Sequence, residues 1–312
     1  MKKISIVTGC YNESENVNEL IRRVKLAMEP YLAKYDYEYI FIDNASEDNT
    51  VELLKIQADQ DQRIKIIVNS RNFGHIRSPS YGVFQADGDA VIYIVADLQD
   101  PPEMIGEFID KWEEGNDIVI AVKQDTEESN LMSVVRGLYY KILHKLSEVT
   151  TFKDFSGYGL FDKKVIFALR QMKDSYPFFR GMLAEAGYQV YKIPYNQPNR
   201  VRGLTKNNFY SLYDIGVLGI ISTSKIPLRL MIFIGLFCSV LSFLAGLSYF
   251  ILKLVYWSEM TLGIAPLVIG VFFILSILLF FLGVIGEYVG AIYTQVLNRP
   301  LVFVKERVNF DK

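Results

Sequence analysis

The chain has 312 residues, a formal net charge of -2 and 51% hydrophobic residues. That length fits one large domain or two ordinary ones, and the near-neutral balance gives no electrostatic ground for nucleic acid as a partner. The two cysteines, Cys10 and Cys238, stand in very different segments, which argues against a disulfide framework and for a cytosolic face.

In chain order, MKKISIVTGC holds an apolar run too short for a signal peptide, and KISIVTG predicts a first strand. SENVNELIRRVKLAM spaces Val17, Leu20, Ile21, Val24 and Met28 along one helical face, with Ser14 as the expected cap. YEYIFID, IKIIVN, AVIYIVAD and DIVIAV predict further strands. SEDNTVELLKIQAD and PEMIGEFIDKWEEG predict helices among them. This alternation predicts an α/β fold, a mainly parallel sheet covered by helices on both faces.

Ligands of such sheets bind beyond the carboxyl ends of the strands. Those ends carry Tyr11-Asn12-Glu13, Asp43-Asn44-Ala45-Ser46, the run Asn69 to Gly74, and Asp97. Asp and Asn at one strand end are often turn chemistry alone; polar groups at four ends predict a site. Asp100-Pro101-Pro102-Glu103 reads as a helix cap with proline at the first helical position. Asp97 precedes that cap at the expected strand tip. A carboxylate there suits a divalent cation held against a diphosphate, with Gln99 as a neutral oxygen ligand. Neither Gly-x-x-x-x-Gly-Lys nor Gly-x-Gly-x-x-Gly follows the first strand. His75 and His144 form no metal pair by spacing.

Beyond Pro227 the composition changes. Leu230 to Leu252 and Leu262 to Gly286 carry no charge, and each exceeds the roughly 20 apolar residues that cross a bilayer. The short loop between them holds Tyr256 and Trp257, suited to a membrane interface. Lys225 and Arg229 precede the first run, and Arg299, Lys305 and Arg307 follow the second. The positive-inside rule then puts both termini in the cytoplasm. Asn208 to Arg229 is expected to lie along the interface.

YNESENV, FIDNASEDNT, NSRNFGH, ADLQDPPEM, DFSGYGLFDKKV and RVRGLTK occur in this order. With them the chain resembles the family 2 glycosyltransferases, in the branch that makes polyprenyl-phosphate sugars. The resemblance covers nearly the whole chain, including GEYVGAIYTQVLNRP. It implies a GT-A fold in residues 1–206, an interfacial segment over 207–229, a two-helix membrane module over 230–290 and a cytoplasmic tail over 291–312. It implies inverting transfer of a sugar, with glucose from UDP-glucose as first choice, to undecaprenyl phosphate at the bacterial inner membrane. Thr8, Tyr11, Glu13, Asp43, Arg71, Ala96 and Asp97 would line the nucleotide-sugar, and Asp97 and Gln99 would hold Mg²⁺ or Mn²⁺. Asp97 and Asp154 are the implied catalytic residues, Asp154 as base or positioning group. Lys123, Arg136, Arg200 and Arg202 would meet the acceptor or donor phosphates.

The chain departs from the family pattern at Val95, where many relatives carry the first acid of Asp-x-Asp, and at Lys123, where relatives tend to carry arginine. Two other readings stay open: a membrane-anchored nucleotide-sugar binder without turnover, and a polysaccharide synthase, although no Gln-x-x-Arg-Trp motif is present. A homo-oligomer also stays open.

Overall fold

The computed structural model describes residues 1–124, 152, 155–198, 218–219, 221, 224–256 and 264–310. Arg136, Asp154, Arg200, Arg202 and Trp257 lie outside them, as does most of 207–223.

The five expected strands form: β1 (Lys2–Cys10), β2 (Tyr35–Asp43), β3 (Ile64–Asn69), β4 (Ala90–Tyr93) and β5 (Ile118–Lys123). Their β-branched and aromatic runs are buried on both faces, as in Ile4, Ile6, Val7, Tyr39, Ile40, Phe41 and Ile42, which is what a helix-covered parallel sheet demands. The helices α1 (Val17–Met28), α2 (Thr50–Gln60), α3 (Gly74–Gln85) and α4 (Ile105–Glu113) connect them. The apolar stripe read from the sequence is the one α1 buries: Val17, Leu20, Ile21, Val24 and Met28. Its cap differs from expectation. Asn16 stands at the N-cap position, while the Ser14 N–H is drawn to Asp48 Oδ2 at 3.2 Å. Cross-loop bonding has taken the residue that local sequence assigned to the helix.

Three strands were not read from the sequence: β6 (Phe155–Asp162), β7 (Val190–Tyr195) and β8 (Val304–Val308). The sheet order is β7-β5-β6-β4-β1-β2-β3-β8. β6 runs antiparallel between β4 and β5, β7 is parallel to β5 and β8 is antiparallel to β3. Six of the eight strands therefore run the same way. Gly159 permits the β5–β6 approach, since a Cβ there would lie 2.4 Å from the Val119 carbonyl oxygen. Two further helices, α5 (Lys163–Gln171) and α6 (Phe179–Ala186), pack beside α3 or β6.

Two long helices follow, α7 (Ile226–Val255) and α8 (Ile264–Leu297). Both contain a stretch long and apolar enough to cross a membrane, and neither stretch is buried in the protein. α8 passes the expected boundary at 290 and stops at Leu297. There Asn298 takes a left-handed φ of 44°, and the chain turns back into the sheet as β8. Arg77 of α3 donates to the Pro300 carbonyl at 2.5 Å, the Ser70 N–H donates to the Phe303 carbonyl at 2.8 Å, and Lys55 pairs with Glu306 at 2.8 Å. The apolar helices are thus tied to the sheet through its β3 edge.

Candidate active site

The carboxyl ends of β1, β2 and β3 and the segment after β4 form one rim. At β2, Asp43 is fully buried. Its Oδ2 accepts the Ser46 N–H at 3.0 Å and its Oδ1 the Ser46 hydroxyl. Burial pushes the Asp43 carboxyl up, while the Ser46 hydroxyl and the N–H groups of Ser46 and Ala45 act against it. Ala45 takes a φ of 62°, so the chain folds back over the carboxylate. Ser46 Oγ also accepts the Asn12 N–H at 2.9 Å, and the Glu13 N–H donates to Thr50 Oγ1 at 2.9 Å. Glu13 Oε2 accepts from Asn16 Nδ2 at 2.7 Å. Tyr11 and Glu13, both half-buried, are therefore held against the β2 end. Thr8 is buried, with its hydroxyl 3.1 Å from that of Tyr39.

Asn44 organises the third strand end. Its Oδ1 accepts the Phe73 N–H at 2.8 Å, and its Nδ2 donates to Asn72 Oδ1 at 2.9 Å. Arg71 lies over the Phe73 ring at 4.0 Å. Its exposed guanidinium donates to the Asn72 carbonyl at 2.9 Å.

The fourth end corrects two expectations. β4 stops at Tyr93, so Asp97 is not at a strand tip but in the turn beyond it, where Leu98 takes a φ of 60°. Asp97 is half-buried, and its Oδ1 accepts the Gln99 N–H at 3.2 Å. Ala96 is buried beside it. Asp100 is not a helix cap. The short helical turn that follows, Pro102–Met104, has Pro101 at its N-cap position and no side-chain cap. Asp100 is instead fully buried, and its Oδ1 accepts the Tyr195 hydroxyl at 2.8 Å. Its Oδ2 is buried without a hydrogen-bond partner. Burial pushes this carboxyl up to about 6; the Tyr195 hydroxyl opposes the shift, the charge of Asp97 adds to it, and Lys123 opposes it. Lys123, at the end of β5, therefore lies within electrostatic reach of Asp100. The Tyr158 hydroxyl donates to the Pro101 carbonyl at 2.6 Å, so two tyrosines clasp the turn that carries Asp97 and Gln99.

The oxygens of Asp97 and Gln99 suit a hard cation. Among the described residues no group of three His, Cys, Asp or Glu comes together. Sequence reasoning passed over Asp100 and Tyr195 as partners, because the bond joins positions 95 residues apart.

Residues 5–166 match the model of glycosyl transferase family 2. A glycosyltransferase of Synechocystis sp. is 36% identical, the match covering 97% of this chain and 95% of that protein. The bactoprenol glucosyl transferase of Shigella phage SfII is 32% identical, covering 97% and 98%, and a prophage bactoprenol glucosyl transferase homolog of Escherichia coli K12 is 30% identical, covering 97% and 98%. Among solved structures, the mannosyltransferase PcManGT of Pyrobaculum calidifontis, in complex with GDP-Man and Mn²⁺, is 14% identical with a TM-score of 0.48, over 70% of this chain and 62% of that one. The chain belongs to glycosyl transferase family 2. It is a glycosyltransferase, with the GT-A α/β sheet bearing its polar rim and two apolar helices beside it.

Proposed function

We propose that this enzyme transfers glucose from UDP-glucose, with inversion, to undecaprenyl phosphate at the cytoplasmic face of the membrane. The observation that carries this reading is the joining of a carboxylate-lined rim to two apolar helices through β8. A lipid acceptor needs its phosphate brought to a soluble sheet while its chain stays in the bilayer. The names of the phage and prophage relatives support the same acceptor and sugar.

In the transfer, an oxygen of the acceptor phosphate bonds to the anomeric carbon, and the bond from that carbon to the nucleoside diphosphate breaks with its electron pair. The acceptor is already anionic, so no proton need leave it. Asp43, Tyr11 and Glu13 take the nucleoside and sugar side, with Arg71 beside them. Asp97 and Gln99 would hold Mg²⁺ or Mn²⁺. A divalent ion bound there supplies positive charge to the leaving oxygens. Lys123, Arg136, Arg200 and Arg202 add cations for the phosphates, and Asp154 orients the acceptor. Residues 1–206 form the catalytic domain, 207–229 an interfacial segment, 230–290 the membrane module and 291–312 the tail that supplies β8.

The test is a donor screen on the full chain in detergent with undecaprenyl phosphate, following radiolabel into organic solvent. Label from UDP-glucose entering the lipid fraction with release of UDP supports the reading. Nucleotide-sugar binding without turnover would leave a binding protein, and water-soluble polymer a polysaccharide synthase.

A further inference from the structure

We infer a second phosphate-binding site, separate from the rim, that takes the headgroup of an anionic phospholipid at the foot of α8. A cavity of about 300 Å³ opens where α8 ends against α5 and the turn after it. Arg170, Lys173 and Arg299 line it, and Ser175 forms part of its wall. Neither the rim residues Asp43 and Asp97 nor Asp100 or Lys123 takes part.

Two independent features make this a built site. The first is charge. Among the described residues none of the three cations has a carboxylate at ion-pairing distance, and of the three Arg170 also donates to the Ala86 carbonyl. The lining acid, Asp174, has one oxygen occupied by the Tyr176 N–H at 2.9 Å. The second is an unanswered hydroxyl. Ser175 is 6% exposed, yet its Oγ has no hydrogen-bond partner. A buried hydroxyl left without a partner is costly, and a phosphate oxygen in the cavity would accept from it. The wall around it is fixed, because the Ser175 N–H donates to Gln295 Oε1 at 3.0 Å and Gln295 Nε2 donates to the Lys173 carbonyl at 3.0 Å. Lys173 and Asn298 take left-handed φ values of 49° and 44°, which bends both chain segments around the opening.

The choice of a lipid over a free phosphate comes from what adjoins the cations. Phe84, Leu169 and Leu301 share the lining, and the last turns of α8 present Val296 and Leu297 to the outside, 76% and 39% exposed. Acyl chains can lie along α8 while the phosphate meets Arg170, Lys173, Arg299 and Ser175. Basic pockets at the cytoplasmic ends of spans bind lipid headgroups in this way.

This inference rests on the membrane placement proposed above, so two measurements are made together on the full chain. An alkaline carbonate wash tests the placement: release without detergent sinks it, and this inference with it. Native mass spectrometry of the detergent-solubilised protein then follows adducts of phosphatidylglycerol, phosphatidylcholine and inorganic phosphate. Wild type should retain phosphatidylglycerol over phosphatidylcholine. Lys173→Gln combined with Arg299→Gln should lower that retention roughly tenfold or more, and Ser175→Ala should lower it less. Lys173→Arg with Arg299→Lys, which keeps the charges, should restore it, separating the site from a folding defect. Retention unchanged in the Gln pair overturns the inference. So does full displacement of phosphatidylglycerol by millimolar inorganic phosphate, which would make this a small-anion site.

Discussion

Asp97 and Asp100 stand three positions apart and meet opposite surroundings: one half-buried on the rim, the other sealed against Tyr195. Asp97→Asn should lower turnover by about a hundredfold or more, the usual scale for losing an electrostatic contact made in the transition state. Melting temperature should hold, and turnover within a few-fold of wild type would take Asp97 out of the site. Tyr195→Phe keeps the ring but removes the donor to Asp100, leaving both carboxylate oxygens of Asp100 in a buried place. We expect a loss of about 1–3 kcal/mol in stability, read as a lower melting temperature of the detergent-solubilised protein. An unchanged melting temperature would mean the clasp contributes nothing. Asp61 sets a pH dependence. Arg63 hydrogen bonds draw its carboxyl well below the usual carboxylate range, against burial and with help from Lys25. A depressed folded pKa means that the folded state binds fewer protons than the unfolded one, so this stability is present above the ordinary carboxylate pKa and is lost as pH falls through and below it. The melting-temperature gap between wild type and Asp61→Asn should be full at pH 7 and shrink steadily below about pH 4. A gap independent of pH would show that the charge is not what Asp61 contributes.

Between elements, spacing decides what a substitution costs. α3 lies on β1 and β2 at Gly82, where a Cβ would sit 2.8 Å from Ile42 Cγ2 and 3.1 Å from Val7 Cγ1. Both neighbours are fully buried. Alanine would ordinarily stabilise a helix interior relative to glycine by up to about 1 kcal/mol; here overpacking should win, for a net loss of about 1–3 kcal/mol. Thermal melts of Gly82→Ala decide this, and a gain in stability would mean that α3 can back away from the sheet. The same distinction between local and distant forces explains what the sequence made legible. β1 to β5 and the helices α1, α2 and α4 were readable because their apolar spacing is set by the sheet and helix repeats themselves; α3, GHIRSPSYGVFQ with Pro79 inside it, was not read as a helix. β6 carries Gly157 and Gly159 without alternation, β7 holds Pro194 on an edge, where proline is tolerated, and β8 is VKERV, with Lys305, Glu306 and Arg307 on an exposed edge. Those three form because a neighbouring strand accepts them. On the rim, Asp43 and Asp97 were legible from their place after apolar runs. Asp100 was misread as a cap, because Pro101 and Pro102 give a complete local explanation while Tyr195 is distant in the chain.

At the scale of the whole molecule, the sheet constrains how the chain can sit in a membrane. β1 begins at Lys2 and β8 ends at Val308, and both belong to one eight-stranded sheet. Between them run the two candidate spans. A chain that leaves a sheet, crosses a bilayer twice and re-enters that sheet must have both ends on one side. Pairing of β3 with β8 therefore restricts topology independently of charge, and under the proposed membrane placement the basic flanks Lys225, Arg229, Arg299, Lys305 and Arg307 predict that this side is the cytoplasm. Neither native cysteine complicates a labelling test, since Cys10 is buried in the sheet and Cys238 lies within α7. A cysteine placed at exposed Lys305 should resist a membrane-impermeant maleimide in intact cells and react once the membrane is opened. One placed at Ser258, which the sequence places between the two spans, should react in intact cells. Labelling of both positions from outside would break the link between β8 and the cytoplasmic sheet. Protection of both would mean that the two helices do not carry the loop across, and the membrane placement of the acceptor would fall with it.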